Sequence, residues 1–257
     1  MRLIQITDCH LGAEPGEKLL GLDTDESLHD VLAVLADREQ GADLIVATGD
    51  IACGGQPGAY RRFPGLVAGY LKAPMAWLPG NHDSFDLMRQ CSGDVLMERV
   101  ELPHWQLLLL DSSVPGHEHG DLLEIELQRL ERGLQRCDKH TLVFVHHQPL
   151  PVGSTWIDQY VIRNGDRLLQ LLSDYAQVKG LIWGHVHQEF YGFHNHFRML
   201  ATPSTCIQFK PLSHDFALDD VMPGYRWFDL HANGDFDSGI ERTARKSYDI
   251  DFNSQGY

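Results

Sequence analysis

Leu78-Pro79-Gly80-Asn81-His82-Asp83 follows an apolar run at residues 75–77 that predicts a buried strand, and Pro79-Gly80 then breaks the backbone into a loop. An amide oxygen, an imidazole and a carboxylate come directly after this break. On their own, Asn81, His82 and Asp83 suit a turn with a capping side chain as well as a functional site. The choice depends on whether other predicted strands end in the same way.

Four further predicted strands do end in this way, at residues 3–7, 43–47, 141–145 and 180–183. In an α/β sheet, the loops at the carboxyl ends of the strands converge on a ligand site. We therefore expect the polar residues after all five strands to meet in space. These residues are Asp8 and His10, then Asp50, then Asn81 with His82 and Asp83, then His146 with His147, and finally His185 with His187.

The predicted elements alternate between strand and helix up to residue 187, which is typical of an α/β layered protein. Helices are expected from about residue 23 to 40 and at 60–71, 86–90, 122–135 and 166–175. Residues 95–102 and 105–110 are predicted to form paired strands. Short strands at 189–193, 197–201 and 225–230 would make the sheet mixed. We expect one domain over residues 1–257, in which residues 188–257 complete the sheets and the substrate pocket.

The composition is that of a soluble globular protein with an acidic surface. The chain has 257 residues, of which 43% are hydrophobic and 22% charged, and its formal net charge is −15 at pH 7. Only 21 residues are Lys or Arg and they form no cluster, so nucleic acid is not an expected partner. A small anion can still bind where metal cations supply the positive field.

The chain is expected to be cytoplasmic and not to associate with a membrane. Its first residues show no basic segment followed by a long apolar one, so no signal peptide is predicted. The longest purely apolar run, residues 107–110, is far too short to span a bilayer. Five cysteines without C-x-x-C spacing indicate reduced thiols; they are Cys9, Cys53, Cys91, Cys137 and Cys206.

Seven of the converging side chains are candidate metal ligands. Carboxylate, imidazole and amide groups form a mixed N/O set that suits Zn, Mn, Fe or Co. His185 and His187 are two apart, so both would reach one site from an extended segment. Seven ligands exceed the needs of one tetrahedral ion and suit two ions that share a carboxylate. The candidate ligands are Asp8, His10, Asp50, Asn81, His146, His185 and His187.

The motifs D-x-H, G-D, G-N-H-D, H and G-H-x-H, spread over residues 8–187, resemble those of the calcineurin-like metallophosphoesterases. This resemblance implies a four-layer αββα sandwich of two mixed sheets flanked by helices. It also implies two ions: Asp8, His10, Asp50 and His187 would hold one, and Asp50, Asn81, His146 and His185 the other. His147 is left in a supporting role. In similar proteins His82 lies near the leaving-group oxygen with Asp83 behind it, so Asn81, His82 and Asp83 are the predicted catalytic residues.

A narrower resemblance, to the bacterial cyclic-AMP phosphodiesterases of this family, rests on residues 3–8, 44–50, 77–83 and 200–211. It implies hydrolysis of 3′,5′-cyclic AMP to 5′-AMP by a hydroxide that bridges the two metals. His82 would protonate the 3′-oxygen, and Asn81, His82 and His187 would contact the substrate. Trp156, Tyr160 or Phe209 would stack on the base or simply pack the loops.

Two residues depart from the family pattern. Cys9 occupies the slot where similar proteins often have Thr, which would place an oxidisable thiol beside the metal. Gln148 replaces a common Pro or His and would alter the pocket wall.

Other functions remain open at this stage. The alternative substrates are glycerophosphodiesters and 2′,3′-cyclic nucleotides. A metal-free interaction scaffold is a further possibility. The predicted partner is a small cyclic nucleotide, and the chain is expected to be a monomer or a homodimer.

Overall fold

The structure is a computed structural model that describes residues 1–91, 93–95 and 97–256. Its strands are β1 Arg2–Ile6, β2 Lys18–Leu19, β3 Leu22–Asp23, β4 Leu44–Thr48, β5 Met75–Leu78, β6 Arg99–Glu101, β7 Trp105–Leu109, β8 His140–Phe144, β9 Val178–Trp183, β10 Phe190–His194, β11 Phe197–Ala201, β12 Gln208–Phe209, β13 Leu218–Asp219, β14 Gly224–Leu230 and β15 Phe236–Arg242. Its α-helices are α1 Thr24–Arg38, α2 Pro57–Tyr70, α3 Phe85–Cys91, α4 Glu124–Gln135 and α5 Gly165–Ser173.

Two mixed sheets form the centre of the molecule. One has five strands in the order β15-β14-β1-β4-β5, and the other has six in the order β10-β11-β9-β8-β7-β6. Strands β1, β4 and β5 are parallel to one another, as are β7, β8, β9 and β11. The late strands β14 and β15 extend the first sheet, while β10 and β11 extend the second.

Three layers of buried apolar side chains hold the sheets and helices together. The layer between the sheets includes Val46 from β4 and Phe144 from β8. A second layer joins the five-stranded sheet to α1 and α2, and a third joins the six-stranded sheet to α4 and α5. The fold is therefore the predicted four-layer αββα sandwich, in which burial of apolar surface is the main stabilising contribution.

The sequence signals for helix α1 operate as predicted. The Asp23 carboxylate accepts a hydrogen bond from the Glu26 backbone N–H and caps the helix. The apolar stripe of Leu28, Val31 and Leu32 is fully buried against the first sheet.

Several predicted boundaries are wrong. Helix α2 begins at Pro57, where proline suits the first turn, and it continues through Pro64. Leu123 occupies the N-cap position of α4 and is 66% exposed, although the leucine spacing in the predicted helix at 122–135 places it on the buried face. The predicted strand at 95–102 is shorter, since only Arg99–Glu101 pairs with β7, and Leu96 lies outside the described residues. Strand β15 was not predicted, because apolar and polar residues alternate only weakly along it.

The two sheets present the carboxyl ends of five strands to one region. Strands β1, β4 and β5 come from one sheet, and β8 and β9 from the other. The loops that follow these strands carry the seven candidate ligands together with His82, Asp83 and His147. Over the ranges that the structure describes, no helix is long and apolar enough to cross a membrane.

Candidate metal centre

The backbone at the strand ends is bent in a way that L-residues rarely adopt. Five of the seven predicted ligands have a positive φ, between 43° and 61°; they are Asp8, His10, Asp50, His185 and His187. Each such residue costs on the order of 1–3 kcal/mol, and such residues cluster at functional sites. Their side chains converge as predicted, although the segment from His185 to His187 is not extended as the sequence argument assumed.

Asp8, His10 and His187 form the first group of candidate ligands. The Nε2 atoms of His10 and His187 are 3.2 Å apart, and His187 Nε2 is 3.3 Å from Asp8 Oδ1. All three side chains are buried. Ligand atoms about 2.1 Å from an ion in tetrahedral or octahedral geometry lie roughly 3.0–3.4 Å from one another. The spacing of this group therefore fits a transition ion.

Asp50, Asn81 and His146 form the second group. His146 Nε2 is 3.1 Å from Asn81 Oδ1 and 3.2 Å from Asp50 Oδ2. The same Asp50 oxygen is 3.8 Å from His10 Nε2 in the first group. Asp50 therefore stands between the two groups, where a shared carboxylate would be needed.

His185 lies beside the second group. Its ring centroid is 5.1 Å from that of His146, and one nitrogen of each ring, together with one of His147, lies within 4.8 Å of the others. The structure thus brings together all seven predicted ligands. His147, which the sequence left in a supporting role, lies directly against them.

The pKa shifts of the buried side chains favour the binding of a cation. Burial lowers the pKa of His10 and His185 well below the ordinary value, so both rings are neutral lone-pair donors near pH 7. Burial would raise the pKa of Asp50, but His146 and His82 hold it well below its usual range. Burial also acts to lower the pKa of His146, yet Asp50 and Asp8 outweigh it and raise the pKa to about 9. A cation would thus replace a proton on His146.

His82 lies at the open side of the site. It is half-buried, lines a cavity of about 430 Å³, and its ring centroid is 5.0 Å from that of His10. Its backbone N–H donates to Asp50 Oδ1 at 2.8 Å. The loop that carries His82 is therefore fixed to the central carboxylate, while the imidazole faces the cavity.

Asp83 does not have the contacts expected of a residue that orients His82. Its carboxylate accepts hydrogen bonds from the backbone N–H groups of Ile51, Ala52 and Gly80, and from the hydroxyl of Tyr60. Asp83 therefore ties the loop after β4 to the loop after β5, which is a structural reason for an acid at this position.

The late segment 202–208 supports the site from outside. Ser204 Oγ donates to the Asp8 carbonyl at 2.7 Å, and the Ile207 carbonyl lies 2.8 Å from His187 Nδ1. This segment contributes to the narrower resemblance, and it contacts two of the loops that carry candidate ligands.

Glycine is required where the loops cross most closely. A Cβ on Gly80 would lie 2.2 Å from Asp50 Oδ1, and one on Gly184 would lie 2.7 Å from Asp8 Oδ2. Any larger residue would displace these carboxylates.

The Cys9 expectation is wrong. The side chain is fully buried in the apolar layer between the first sheet and its helices. Burial raises the pKa of its thiol far above the ordinary value, which keeps the thiol protonated and unreactive.

Gln148 is buried and contacts the loop that lines the cavity. Its Nε2 donates to the Ile157 carbonyl at 2.9 Å and so anchors the loop that carries Trp156.

The three aromatic candidates differ in what they contact. Phe209 is buried and stacks on the His187 ring, with the centroids 4.1 Å apart and the planes 7° apart. Trp156 packs edge-on against Phe209 and Phe216. Tyr160 and Trp156 line the cavity and are only partly buried. Phe209 therefore packs a candidate ligand, and the other two remain candidates for contact with a base.

Several cavity residues were not predicted. They come from loops that lack motifs, so neither spacing nor composition marked them: Glu118, Thr155, Gln159, His214, Asp215, Phe216 and Gln255. Tyr60 was also missed, although a buried tyrosine in a predicted helix does require a partner for its hydroxyl.

Comparison with known proteins adds a family and relatives to this geometry. The profile of the family described as calcineurin-like phosphoesterase matches residues 1–189. A protein of Pseudomonas aeruginosa named 3′,5′-cyclic adenosine monophosphate phosphodiesterase CpdA is 42% identical over 99% of this chain and 94% of its own length. The Escherichia coli K12 protein of the same name is 44% identical over 100% of this chain and 95% of its own.

A solved structure supports the fold. The crystal structure of a dimetal phosphatase from Danio rerio superimposes with a TM-score of 0.60 at 18% identity, and covers 95% of this chain and 99% of that one. At this identity the similarity concerns the fold alone.

Proposed function

The chain belongs to the calcineurin-like phosphoesterase family and is a phosphodiesterase of its cyclic-nucleotide class, and on this basis we propose that it hydrolyses 3′,5′-cyclic AMP to 5′-AMP at two metal ions. The relatives with this named activity match nearly the whole chain, including the late segment that holds Asp8 and His187.

The position of Asp50 is the observation that carries the proposal. One of its oxygens lies 3.2 Å from His146 and 3.8 Å from His10, which belong to separate groups of ligands. A carboxylate shared by two ions is the arrangement used for displacement at phosphorus. Asp8, His10, Asp50 and His187 would hold one ion, and Asp50, Asn81, His146 and His185 the other.

When bound, the ions would supply the nucleophile, by lowering the pKa of a water molecule from about 15.7 to roughly 7, and would neutralise charge on the phosphoryl oxygens. The protein's own side chains fix where the substrate must lie. Asn81 and His82 line the cavity, and Asn81 also belongs to the second group of candidate ligands. A phosphodiester in the cavity would therefore contact both side chains. His187 is behind them, covered by Phe209.

His82 is the proposed proton donor. The 3′-alkoxide that leaves cyclic AMP is a poor leaving group, and a positioned acid accelerates such a step by about 10²- to 10⁴-fold. The imidazole faces the cavity while its backbone is bound to Asp50 Oδ1, so it can reach a leaving oxygen without moving its loop.

The aromatic side of the cavity is the proposed site for the base. Trp156 and Tyr160 line the same cavity as Asn81 and His82, and both keep part of their surface accessible. Aromatic side chains stack on bases without regard to identity, so this wall would favour a nucleotide over a glycerophosphodiester.

The test is hydrolysis of cyclic AMP, cyclic GMP, 2′,3′-cyclic AMP and a glycerophosphodiester by protein reconstituted with Mn, Fe, Zn or Co. We expect chelator-sensitive conversion of cyclic AMP to 5′-AMP, at a higher kcat/KM than the glycerophosphodiester. Faster turnover of the glycerophosphodiester would show that a glycerophosphodiester, and not cyclic AMP, is the preferred substrate. Absence of both activity and bound metal would favour a metal-free scaffold.

A further inference from the structure

Metal-binding histidines usually have their second ring nitrogen held by an acceptor, and this contact fixes the orientation of the ring. Two of the candidate ligands follow the rule with a backbone carbonyl. His146 Nδ1 lies 2.8 Å from the Thr48 carbonyl, and His187 Nδ1 lies 2.8 Å from the Ile207 carbonyl. In both residues Nε2 is the atom that faces the other ligands.

His185 is not held in this way. Its Nε2 is buried and has no hydrogen-bond partner among the residues that the structure describes. The residue also lines the cavity of about 430 Å³, and its backbone N–H is held by the Asp8 carboxylate at 3.1 Å. The backbone of His185 is therefore fixed, while no carbonyl is provided to hold its ring.

The ring of His147 lies next to the ring of His185. Its ring centroid is 4.6 Å from that of His185, and a nitrogen of each ring lies within 4.8 Å of the other. His147 Nε2 is likewise buried without a hydrogen-bond partner in the described part of the chain. Two adjacent buried imidazoles thus each have one unsatisfied nitrogen, and each would be costly to leave unpaired.

Ser112 contacts the other ring nitrogen of His147. Its Oγ lies 2.8 Å from His147 Nδ1 and also accepts the His147 backbone N–H at 3.4 Å. If Nδ1–H donates to this oxygen, Nε2 keeps its lone pair. Gly120 leaves room for the ring, since a Cβ there would lie 2.8 Å from it. The ring is therefore enclosed and oriented by residues outside the ligand set.

We infer that His147 is a positioning residue for the metal centre. Its Nε2 and that of His185 form no hydrogen bond in the structure, and we propose that they pair when an ion binds: His147 Nε2 then accepts the Nε2–H of His185, so that His185 presents Nδ1 to the metal, with the His147 Nδ1–H on Ser112. The inference rests on the proposed metal centre, and it gives the second histidine of the His146-His147 pair a role. It also makes the second ion, which His185 would hold, the more sensitive of the two to changes at His147.

The experiment measures metal binding directly. Metal-stripped protein is titrated with Mn²⁺ by calorimetry, and the number of bound ions is counted by native mass spectrometry. The variants are His147→Leu, which has no acceptor, His147→Asn, which keeps one, and Ser112→Ala. Gln106→Leu is the matched control, because Gln106 is a fully buried, hydrogen-bonded side chain on β7, away from the site.

Loss of such an outer contact typically weakens metal binding by 10- to 100-fold. We expect His147→Leu to show this loss for one of the two ions, His147→Asn to recover part of it, and Ser112→Ala to give an intermediate loss. Gln106→Leu should lower stability without changing metal affinity. Because Ser112→Ala keeps the imidazole, it tests the proposal even if His147→Leu does not fold.

Three results would overturn the inference. If the wild type binds two ions and the His147 and Ser112 variants bind them equally well, His147 has no positioning role and the proposed function stands. If the anomalous difference map of a Mn²⁺-loaded crystal places His147 Nε2 at bonding distance from an ion, His147 is itself a ligand. If the wild type binds no transition metal, both the inference and the proposed function fail.

Discussion

Asp50 uses its two carboxylate oxygens differently. Oδ1 accepts the backbone N–H of His82, and Oδ2 faces His146 and His10. Asp50 thus lies between the two groups of candidate ligands and also binds the loop that carries the proposed acid. The family resemblance implied Asp50 as the ligand shared by two ions, but its hydrogen bond to the His82 loop could not be predicted, because that loop lies 32 residues further along the chain.

Replacement of His82 by Ala tests the proton donor. We expect kcat for cyclic AMP to fall by about 10²-fold or more, because the 3′-alkoxide then leaves without a proton. A diester with an activated aryl leaving group should lose far less. Steady-state kinetics on both substrates, with metal content verified, make the comparison. Equal losses on the two substrates would remove His82 from the acid role.

At the residue scale, the type of ligand could be predicted from the sequence, but the contacts of single side chains could not. Asp8, His10 and the others follow predicted strands, so their convergence follows from sheet geometry. The hydrogen bonds of Asp83 could not be predicted, because its partners Ile51, Ala52 and Tyr60 are contributed by another loop and by helix α2.

Helix α2, which packs on the outer face of the first sheet, contacts the loops of the candidate site through Tyr60. Tyr60 is fully buried; its hydroxyl donates to Asp83 at 3.0 Å and accepts the Ser84 backbone N–H at 2.9 Å. Through Asp83, the helix holds the loops after β4 and β5. These are the loops that carry Asp50 and Asn81.

Tyr60→Phe should therefore affect the site as well as the fold. Loss of the hydroxyl removes both hydrogen bonds and costs about 1–3 kcal/mol in the free energy of unfolding, and Mn²⁺ affinity should fall with it because the two loops separate. Denaturation and calorimetric titration measure the two effects. Tyr225→Phe is the control, since its hydroxyl donates to Glu39 far from the site. If both variants bind Mn²⁺ like the wild type, Tyr60 supports the fold alone.

Elements with a strong local signal were predicted well, and those that depend on pairing were not. Helix α1 has both a cap and an apolar stripe, so its position was clear from the sequence. Strand β15 has only one buried residue of seven, Phe236, and its existence depends on pairing with β14. No local pattern marks such an edge strand.

At the scale of the whole molecule, the site exists only where the two sheets meet. Asp8, Asp50 and Asn81 follow strands of one sheet, and His146 and His185 follow strands of the other. Binding of metal and packing of the sandwich should therefore stabilise each other. The fold class could be predicted from the strand–helix alternation together with the family resemblance. The division of strands between two sheets required the structure, because periodicity does not specify partners.

Metal-free protein should lose stability as the pH rises through about 9. The pKa of His146 is raised to about 9 in the folded state, from an ordinary value of 6.5, so its protonated form stabilises the fold below pH 6.5 and this contribution is lost as pH rises through the folded pKa. A shift of this size corresponds to about 3 kcal/mol.

Urea denaturation of chelator-treated protein at pH 7 and pH 9.5 measures this loss. His146→Gln should show a smaller difference between the two pH values, and Mn²⁺-loaded wild type should as well, because the ion takes the place of the proton. Equal differences in wild type and variant would contradict the assignment to His146.

The most direct test of the central claim is the number of transition ions bound per chain, counted by native mass spectrometry after loading with Mn²⁺, in the wild type and in Asp50→Ala. If Asp50 joins two sites, the wild type binds two ions, and the variant loses affinity for both. A wild type that binds one ion or none, or a variant that still binds two with unchanged affinity, would contradict the account.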